Sequence, residues 1–345
     1  MAHNHSAFVR IRGEKEMCLS QIGMNWKKCL SQIGRGACPR IRTLGGMECV
    51  ETLEGLAQYA GCAFVPTMGA LHAGHGALIS SAVGSGKAVV VSIFVNPTQF
   101  GPSEDFARYP RTLDADLELC RSLGAAAVYL PAVEMLYPEG LEASREVARE
   151  LVLPSVATGP QLEERCRPGH FGGVALVVGR LFDQVRPAAA YFGEKDYQQL
   201  RLVEECVESE RGRFGELSIV RCSTHRERDG LAMSSRNRFL TSEDRARALA
   251  LSRALGATHP AFRPADAERL MKDVLTASGL ETEYAVVRDA RTLLEVETFE
   301  APTRALIATK LGSVRLIDNI GIPARDPTRS KCPFAALFGF GAASG

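Results

Sequence analysis

The sequence carries almost no excess of either charge: 41 Lys and Arg stand against 40 Asp and Glu, a net charge of +1 with histidine neutral. A protein that reads nucleic acid or rides on an anionic membrane needs a basic surplus or a patch of one sign, and neither is evident overall. No apolar run approaches the roughly 18–20 residues that a membrane span requires; the longest, Ala88–Val95, reads as a core strand. The ten cysteines include no CxxC pair and are widely spaced. With no secretory signal read at the start, reduced thiols are expected rather than disulfides or zinc. Repeats are also lacking: Cys18–Gly23 (CLSQIG) recurs as Cys29–Gly34, but two copies do not make a repeat architecture.

What is present is ordinary globular material. A chain of 345 residues, 46% apolar and 23% charged, is long enough for two domains with sizeable cores. Residues 1–45, rich in Arg and Lys and poor in acids, are expected to be a disordered extension, with an organelle transit peptide or a misplaced start as the alternatives. Strand-like and helix-like stretches alternate over 46–225, which predicts a Rossmann-like α/β domain with a parallel sheet. The expected strands include Cys62–Val65, Ala88–Val95, Ala125–Leu130, Ala189–Phe192 and Leu217–Cys222, and a helix is expected over Cys49–Ala60. Residues 226–322 change texture, with helices near 242–255 and 265–277 and then three strands, and read as a smaller α+β domain. The Gly- and Ala-rich tail 323–345 is expected to add nothing to catalysis.

The chemistry concentrates at Cys62–Ile79. A buried strand there runs into a turn broken by Pro66 and Gly69 and then into a helix opening near Leu71 or His72. Such a junction is expected to aim unpaired backbone N–H groups and the positive end of the helix dipole at an anion, phosphate being the usual guest. His72 and His75, three residues apart, share one face of the first turn, and Gly74 between them has no Cβ to hold an anion off. Taken alone, two such histidines could equally be ordinary helix-start residues. Other junctions add candidates. Asn96–Gly101 follows a strand and offers Gln99, an uncharged amide suited to a hydroxylated substrate. Arg167 and His170 precede a long apolar helix. Gly193–Gln199 brings Lys195, a compact charge for phosphate oxygens, with Gln199 one turn later. Ser234, Ser235 and Arg236 put two hydroxyls and a guanidinium on one turn. Surface or capping roles are the alternatives for each.

Read together, Pro66–His75 (PTMGALHAGH), Phe94–Gly101 (FVNPTQFG), Arg167–Val174 (RPGHFGGV), Phe192–Leu200 (FGEKDYQQL) and Met233–Asn237 (MSSRN) closely resemble the signatures of the pantothenate synthetase (pantoate:β-alanine ligase) family of the HxGH nucleotidyltransferase superfamily. Tyr284–Asp289 and Arg315–Asn319 resemble its C-terminal domain, so the likeness spans about 46–322. It implies ATP-dependent condensation of pantoate with β-alanine through pantoyl adenylate, releasing pyrophosphate and AMP. It implies an ATP site made of Met68, Gly69, Ala70, Leu71, His72, Ala73, Gly74, His75, Gly193, Glu194, Lys195, Asp196, His225, Met233, Ser234, Ser235 and Arg236. Among these, His72, His75, Lys195, Ser234, Ser235 and Arg236 are the implied catalytic set. Gln99, Gln199, Arg167 and His170 would serve pantoate or β-alanine, and magnesium would accompany ATP. Where relatives can carry acids near the magnesium, this chain has Ala115 between Asp114 and Asp116, which leaves Asp116 as the metal candidate. His225 stands where relatives usually have an aliphatic residue beside the adenine, and Glu139–Glu164 departs from the family in spacing, so no function is assigned to it. The resemblance further implies a cytoplasmic homodimer. A different HxGH nucleotidyltransferase and a non-catalytic nucleotide-binding relative are the rival readings.

Overall fold

The structure, a computed structural model, describes residues 42–101 and 106–325; the expected extension and tail therefore lie largely outside the described residues. The chain divides into two compact units, one ending at Thr224 and the other beginning at His225.

The first unit is built on a seven-stranded sheet of order β1-β2-β5-β4-β3-β6-β7, comprising β1 Arg42–Leu44, β2 Met47–Val50, β3 Ala63–Thr67, β4 Val89–Ile93, β5 Ala127–Tyr129, β6 Ala189–Gly193 and β7 Ser218–Cys222. Strands β2 to β7 are parallel and β1 is antiparallel to β2. The central strands are buried on both faces, which is why they read as unbroken apolar runs: Phe64, Val65, Val90, Val91 and Val128 have no solvent exposure. The principal helices are α1 Ala73–Val83, α2 Leu113–Ser122, α3 Leu141–Glu150, α4 His170–Val185 and α5 Tyr197–Ser209.

The helix expected over Cys49–Ala60 starts later, at Leu53, and runs as an α-helical turn over Leu53–Leu56 and a 3-10 turn over Ala57–Tyr59. Met47–Val50 is a strand, turned back from β1 through Gly45 and Gly46, whose φ values of +57° and +93° make the two-residue turn that suits a hairpin. Thr52, in extended conformation, accepts from the Gly55 N–H and so fixes the start of the helical turns at Leu53. The sheet thus begins ahead of residue 46. None of the six described cysteines is in a disulfide. Burial pushes the thiols of Cys62, Cys120 and Cys206 up to about 12, which leaves them unionised and poor nucleophiles at neutral pH.

The second unit packs α6 Ser242–Ala248, α7 Ala250–Gly256 and α8 Pro264–Ala277 with an antiparallel sheet of order β10-β9-β8, built from β8 Glu281–Asp289, β9 Thr303–Leu311 and β10 Val314–Ile322. Its core is Leu251, Leu255, Met271, Leu275, Ile307 and Leu316. The expected helix over 242–255 is interrupted at Leu249, and the strands run longer than the short apolar cores that announced them.

Candidate active site

Strand order reverses at β3: the chain moves from β3 to β4 and β5 on one side, then returns to β6 and β7 on the other. Ligands of open α/β sheets sit outside the carboxyl ends of the strands at such a point. The segments leaving β3, β4 and β6 there are Met68–His75, Asn96–Gln99 and Glu194–Gln199, which carry most of the residues singled out in the sequence.

The turn after β3 is held by hydrogen bonds within itself and to β4 and α2. Thr67 Oγ1 donates to the Ser92 carbonyl (2.7 Å) and accepts from the Gly69 N–H (3.2 Å). Gly69 and Ala70 both have positive φ, +78° and +51°, and a Cβ on Gly69 would come 3.0 Å from Ile93 Cγ2 and 3.1 Å from Asp116 Oδ2. Asp116, on α2 and 2% exposed, accepts from Ala70 N–H (2.9 Å), Leu71 N–H (2.8 Å) and Thr112 Oγ1 (3.0 Å). His72 is the N-cap of α1: its Nδ1 accepts from Gly74 N–H (3.1 Å), and His75 Nδ1 accepts from His72 N–H (3.3 Å), a capping box made of two imidazoles.

This arrangement corrects the expectation of unpaired amides. The N–H groups of Gly69, His72 and Gly74 have partners within the turn, and those of Ala70 and Leu71 are held by Asp116 of α2. The turn instead presents its side chains. A backbone N–H can only donate, so Nδ1 of each histidine must be unprotonated, and the proton of each neutral ring rests on Nε2. The rings lie 4.1 Å apart between centroids. Burial and the neighbouring His72 push the His75 pKa down to about 3, with Asp196 opposing and Lys195 assisting. His75 is therefore a neutral Nε2–H donor at any physiological pH, and Asp196 and Lys195 of the β6 segment act on its charge in opposite senses.

The sign for pH dependence follows. Between the unfolded histidine value near 6.5 and about 3, the unfolded chain binds a proton that folded His75 refuses, so this group's contribution to stability is full above that window and declines as pH falls through it. For catalysis the expected outcome is an adenylation rate with no His75 titration from pH 5 to 7.5. Single-turnover rates across that range check it, and a step governed by a group titrating near 6.5 in parent but not His75→Gln would contradict it.

Both oxygens of Asp116 have partners, and no cluster of three or more His, Cys, Asp or Glu side chains able to hold a metal occurs among the described residues. The geometry gives Asp116 the work of holding the turn. Asp116→Asn turns an amide NH2 toward a backbone N–H and leaves a buried donor unmatched, a cost of about 1–3 kcal/mol. Its kcat/KM for ATP is expected to fall roughly tenfold or more with no change in magnesium requirement. A loss repaired by excess magnesium would return Asp116 to the metal.

The β4 segment forms a second cluster. Asn96 caps the short turn Pro97–Gln99 and donates to Gln99 Oε1 (3.0 Å) and to the Gly173 carbonyl (3.1 Å). Gln99, 8% exposed, places Nε2 3.1 Å from Met68 Sδ, which joins this cluster to the β3 turn. His170, the first residue of α4, lies 3.0 Å from the Gln99 carbonyl through Nδ1 and 3.0 Å from Arg167 NH1 through Nε2. The carbonyl needs a donor, so Nδ1 carries the proton and Nε2 receives the guanidinium N–H. Both nitrogens of His170 are thus engaged with protein, and the ring braces the Gln99 backbone. Lys195 Nζ is 3.4 Å from Asp196 Oδ1, and Gln199 is half-buried one turn on along α5.

The remaining candidates belong to the second unit. Ser234 caps the turn Ser235–Phe239, its Oγ accepting from Arg236 N–H at 3.2 Å, and Met233 N–H donates to the His225 carbonyl at 2.9 Å. Arg226 forks onto both oxygens of Asp318 (2.7 and 2.9 Å). Asn237 reaches Glu227 and the Ala232 carbonyl. This turn is therefore braced within its own unit, and the Ser234 hydroxyl shares its acceptor capacity with the cap. Sequence reasoning missed Asn96, although an Asn before Pro at a turn is an established capping signal, and it missed Gly173 and Tyr137, whose contacts are long-range.

The sequence model of the pantoate-beta-alanine ligase family matches residues 45–321. The bifunctional pantoate ligase/cytidylate kinase of Synechococcus elongatus is 46% identical over 273 residues, 76% of this chain and 50% of that protein; the chain spans about half the length of such bifunctional relatives. The crystal structure of pantothenate synthetase from Thermus thermophilus matches with a TM-score of 0.71 and 40% identity, covering 79% of this chain and 98% of that one. Pantoate-beta-alanine ligase from Francisella tularensis, solved with beta-gamma ATP and beta-alanine, matches with a TM-score of 0.63 and 31% identity over 79% and 97%. A match across four-fifths of the chain, on the same strand ends that gather the paired histidines, Gln99 and Lys195, places this chain in the pantoate-beta-alanine ligase family.

Proposed function

We propose that the chain condenses pantoate with β-alanine at the expense of ATP, making pantothenate through a pantoyl-adenylate intermediate. The observation that carries this reading is the histidine capping box, which makes His72 and His75 a pair of Nε2–H donors beside Lys195 at the carboxyl end of the central strand. The Francisella tularensis relative, crystallised with a nucleotide and beta-alanine, supports the substrate assignment.

In the first step an oxygen of the pantoate carboxylate, ionised at neutral pH, bonds to the α-phosphorus of ATP and the bond to pyrophosphate breaks. Charge grows on the phosphate oxygens as it does so. Neutral N–H donors fixed in advance and the Lys195 ammonium stabilise that charge without reorganisation. Ser234, Ser235 and Arg236 are proposed to take the β- and γ-phosphates, with Gln99 and Gln199 on pantoate. In the second step the β-alanine amine attacks the mixed anhydride carbonyl, AMP leaves and the amine proton goes to solvent. No nucleophilic side chain is needed, since holding the reactants in line supplies much of the acceleration. Magnesium fits this scheme as a companion of the ATP phosphates, which with water can supply its octahedral oxygen set; the described residues offer no cage of their own. A homodimer working in the cytoplasm is proposed from the resemblance. No helix among the described residues is long and apolar enough to cross a membrane.

The test is product analysis: MgATP, pantoate and β-alanine together are expected to yield AMP and pantothenate in equal amounts. AMP without pantothenate by mass spectrometry would favour a different HxGH enzyme, and no turnover at all a binding-only role.

A further inference from the structure

Gln99 owes its orientation to residues buried behind it. The Asn96 carboxamide lies between the Thr98 N–H, 3.2 Å from Oδ1, and the Gly173 carbonyl, 3.1 Å from Nδ2. One of these backbone groups only donates and the other only accepts, so the amide cannot be flipped. Its nitrogen must face Gln99, and the Gln99 oxygen must face Asn96. What remains of Gln99 is an NH2 group, which among the described residues meets only the weak acceptor Met68 Sδ. Gln99 is thus a dedicated donor, matched to a carboxylate or hydroxyl oxygen.

The far side of Asn96 is held by Tyr137, 1% exposed, whose hydroxyl donates to Asn96 Oδ1 at 2.5 Å and lies 3.2 Å from Thr98 Oγ1. Its ring is fixed in turn. The Arg180 guanidinium stacks 5.1 Å from the ring centroid while bonding the Leu136 carbonyl and Glu139 Oε1 at 2.5 Å each. Burial raises the phenol pKa to about 12, so the hydroxyl keeps its proton across the working range. Glu139 opens the stretch whose spacing departs from the family, and here it anchors the brace.

We propose that Tyr137 is a positioning residue for the hydroxy-acid site, setting through Asn96 the donor face that Gln99 turns to pantoate. This rests on the reading of Gln99 as a pantoate contact. Tyr137→Phe removes one oxygen and keeps the ring. It is expected to raise the pantoate KM about tenfold, the scale of one lost buried hydrogen bond, with the ATP KM within twofold of the parent. Thr98→Val, which removes another donor to Asn96 Oδ1 at 2.9 Å, is expected to give the same split and serves if Tyr137→Phe folds poorly.

The decisive measurement is the double-mutant cycle with Gln99→Ala. If Tyr137 acts by aiming Gln99, its effect on the pantoate KM disappears once Gln99 is gone. An unchanged pantoate KM in Tyr137→Phe, an equal loss for pantoate and ATP, or a tenfold effect that persists without Gln99 overturns the inference. A Gln99→Ala variant with normal pantoate KM would instead remove the reading of Gln99 on which it stands.

Discussion

His75→Ala is expected to lower pantoyl-adenylate formation about a hundredfold, the ~3 kcal/mol typical of a deleted transition-state donor. His75 is neutral because burial and His72 push its pKa down to about 3, so it offers one aimed Nε2–H and no net charge. Removing it also unmakes half of the capping box, because the His72 N–H loses Nδ1 of His75 as its acceptor. His75→Asn separates the two effects. A short side-chain oxygen can still take the backbone N–H, as N-terminal capping residues do, while the Nε2 donor is lost. Stability is then expected to recover and the adenylation rate to stay low. Lys195→Ala, which removes a charge rather than a cap, is expected to match the rate loss with folding nearly intact. Normal turnover in His75→Ala and Lys195→Ala, assayed by pyrophosphate release, contradicts both assignments.

Gly173→Ala is expected to be the more damaging change although it adds a single methyl. Gly173 lies on α4 directly against the β4 segment. A Cβ there would sit 2.6 Å from the Gln99 nitrogen and closer still to the Thr98 carbonyl oxygen, so backbone must move. The neighbouring Gly172 is pressed in the same way on the Ala148 carbonyl of α3, which prevents α4 from simply sliding away. Overpacking of this kind costs about 1–3 kcal/mol or more. It also shifts the residue that would meet pantoate. The variant is expected to melt several degrees lower and to lose pantoate saturation in the accessible range. A parent-like melting temperature and pantoate KM would show that the contact gives way freely.

These two glycines indicate what the sequence could and could not disclose. The strand ends, the paired histidines, Gln99, Lys195 and the serines were legible, because strand periodicity and the five short motifs are local patterns. That Gly172 and Gly173 stand where two other backbones press on α4 was not, since nothing near them in sequence mentions Ala148 or Thr98. Asp116 is the same case: 46 residues separate it from Ala70, whose N–H it holds, and an acidic residue near a nucleotide site reads naturally as a metal candidate. The hairpin Arg42–Val50 was hidden for another reason. β2 is only four residues long, and its apolar residues also suit a helix until the Gly45–Gly46 turn and the Thr52 cap are weighed against it. The amides of the histidine turn looked available because a helix start always has spare N–H groups; only the three-dimensional arrangement revealed that Thr67, Asp116 and the imidazoles use them.

The most direct test of the central claim is a single turnover with MgATP and pantoate and no β-alanine. The account predicts a burst of pyrophosphate equal to the enzyme, with AMP retained as pantoyl adenylate until β-alanine is added and pantothenate appears. Pyrophosphate formed without pantoate, or none formed until β-alanine arrives, would contradict a pantoyl-adenylate intermediate formed at this histidine pair.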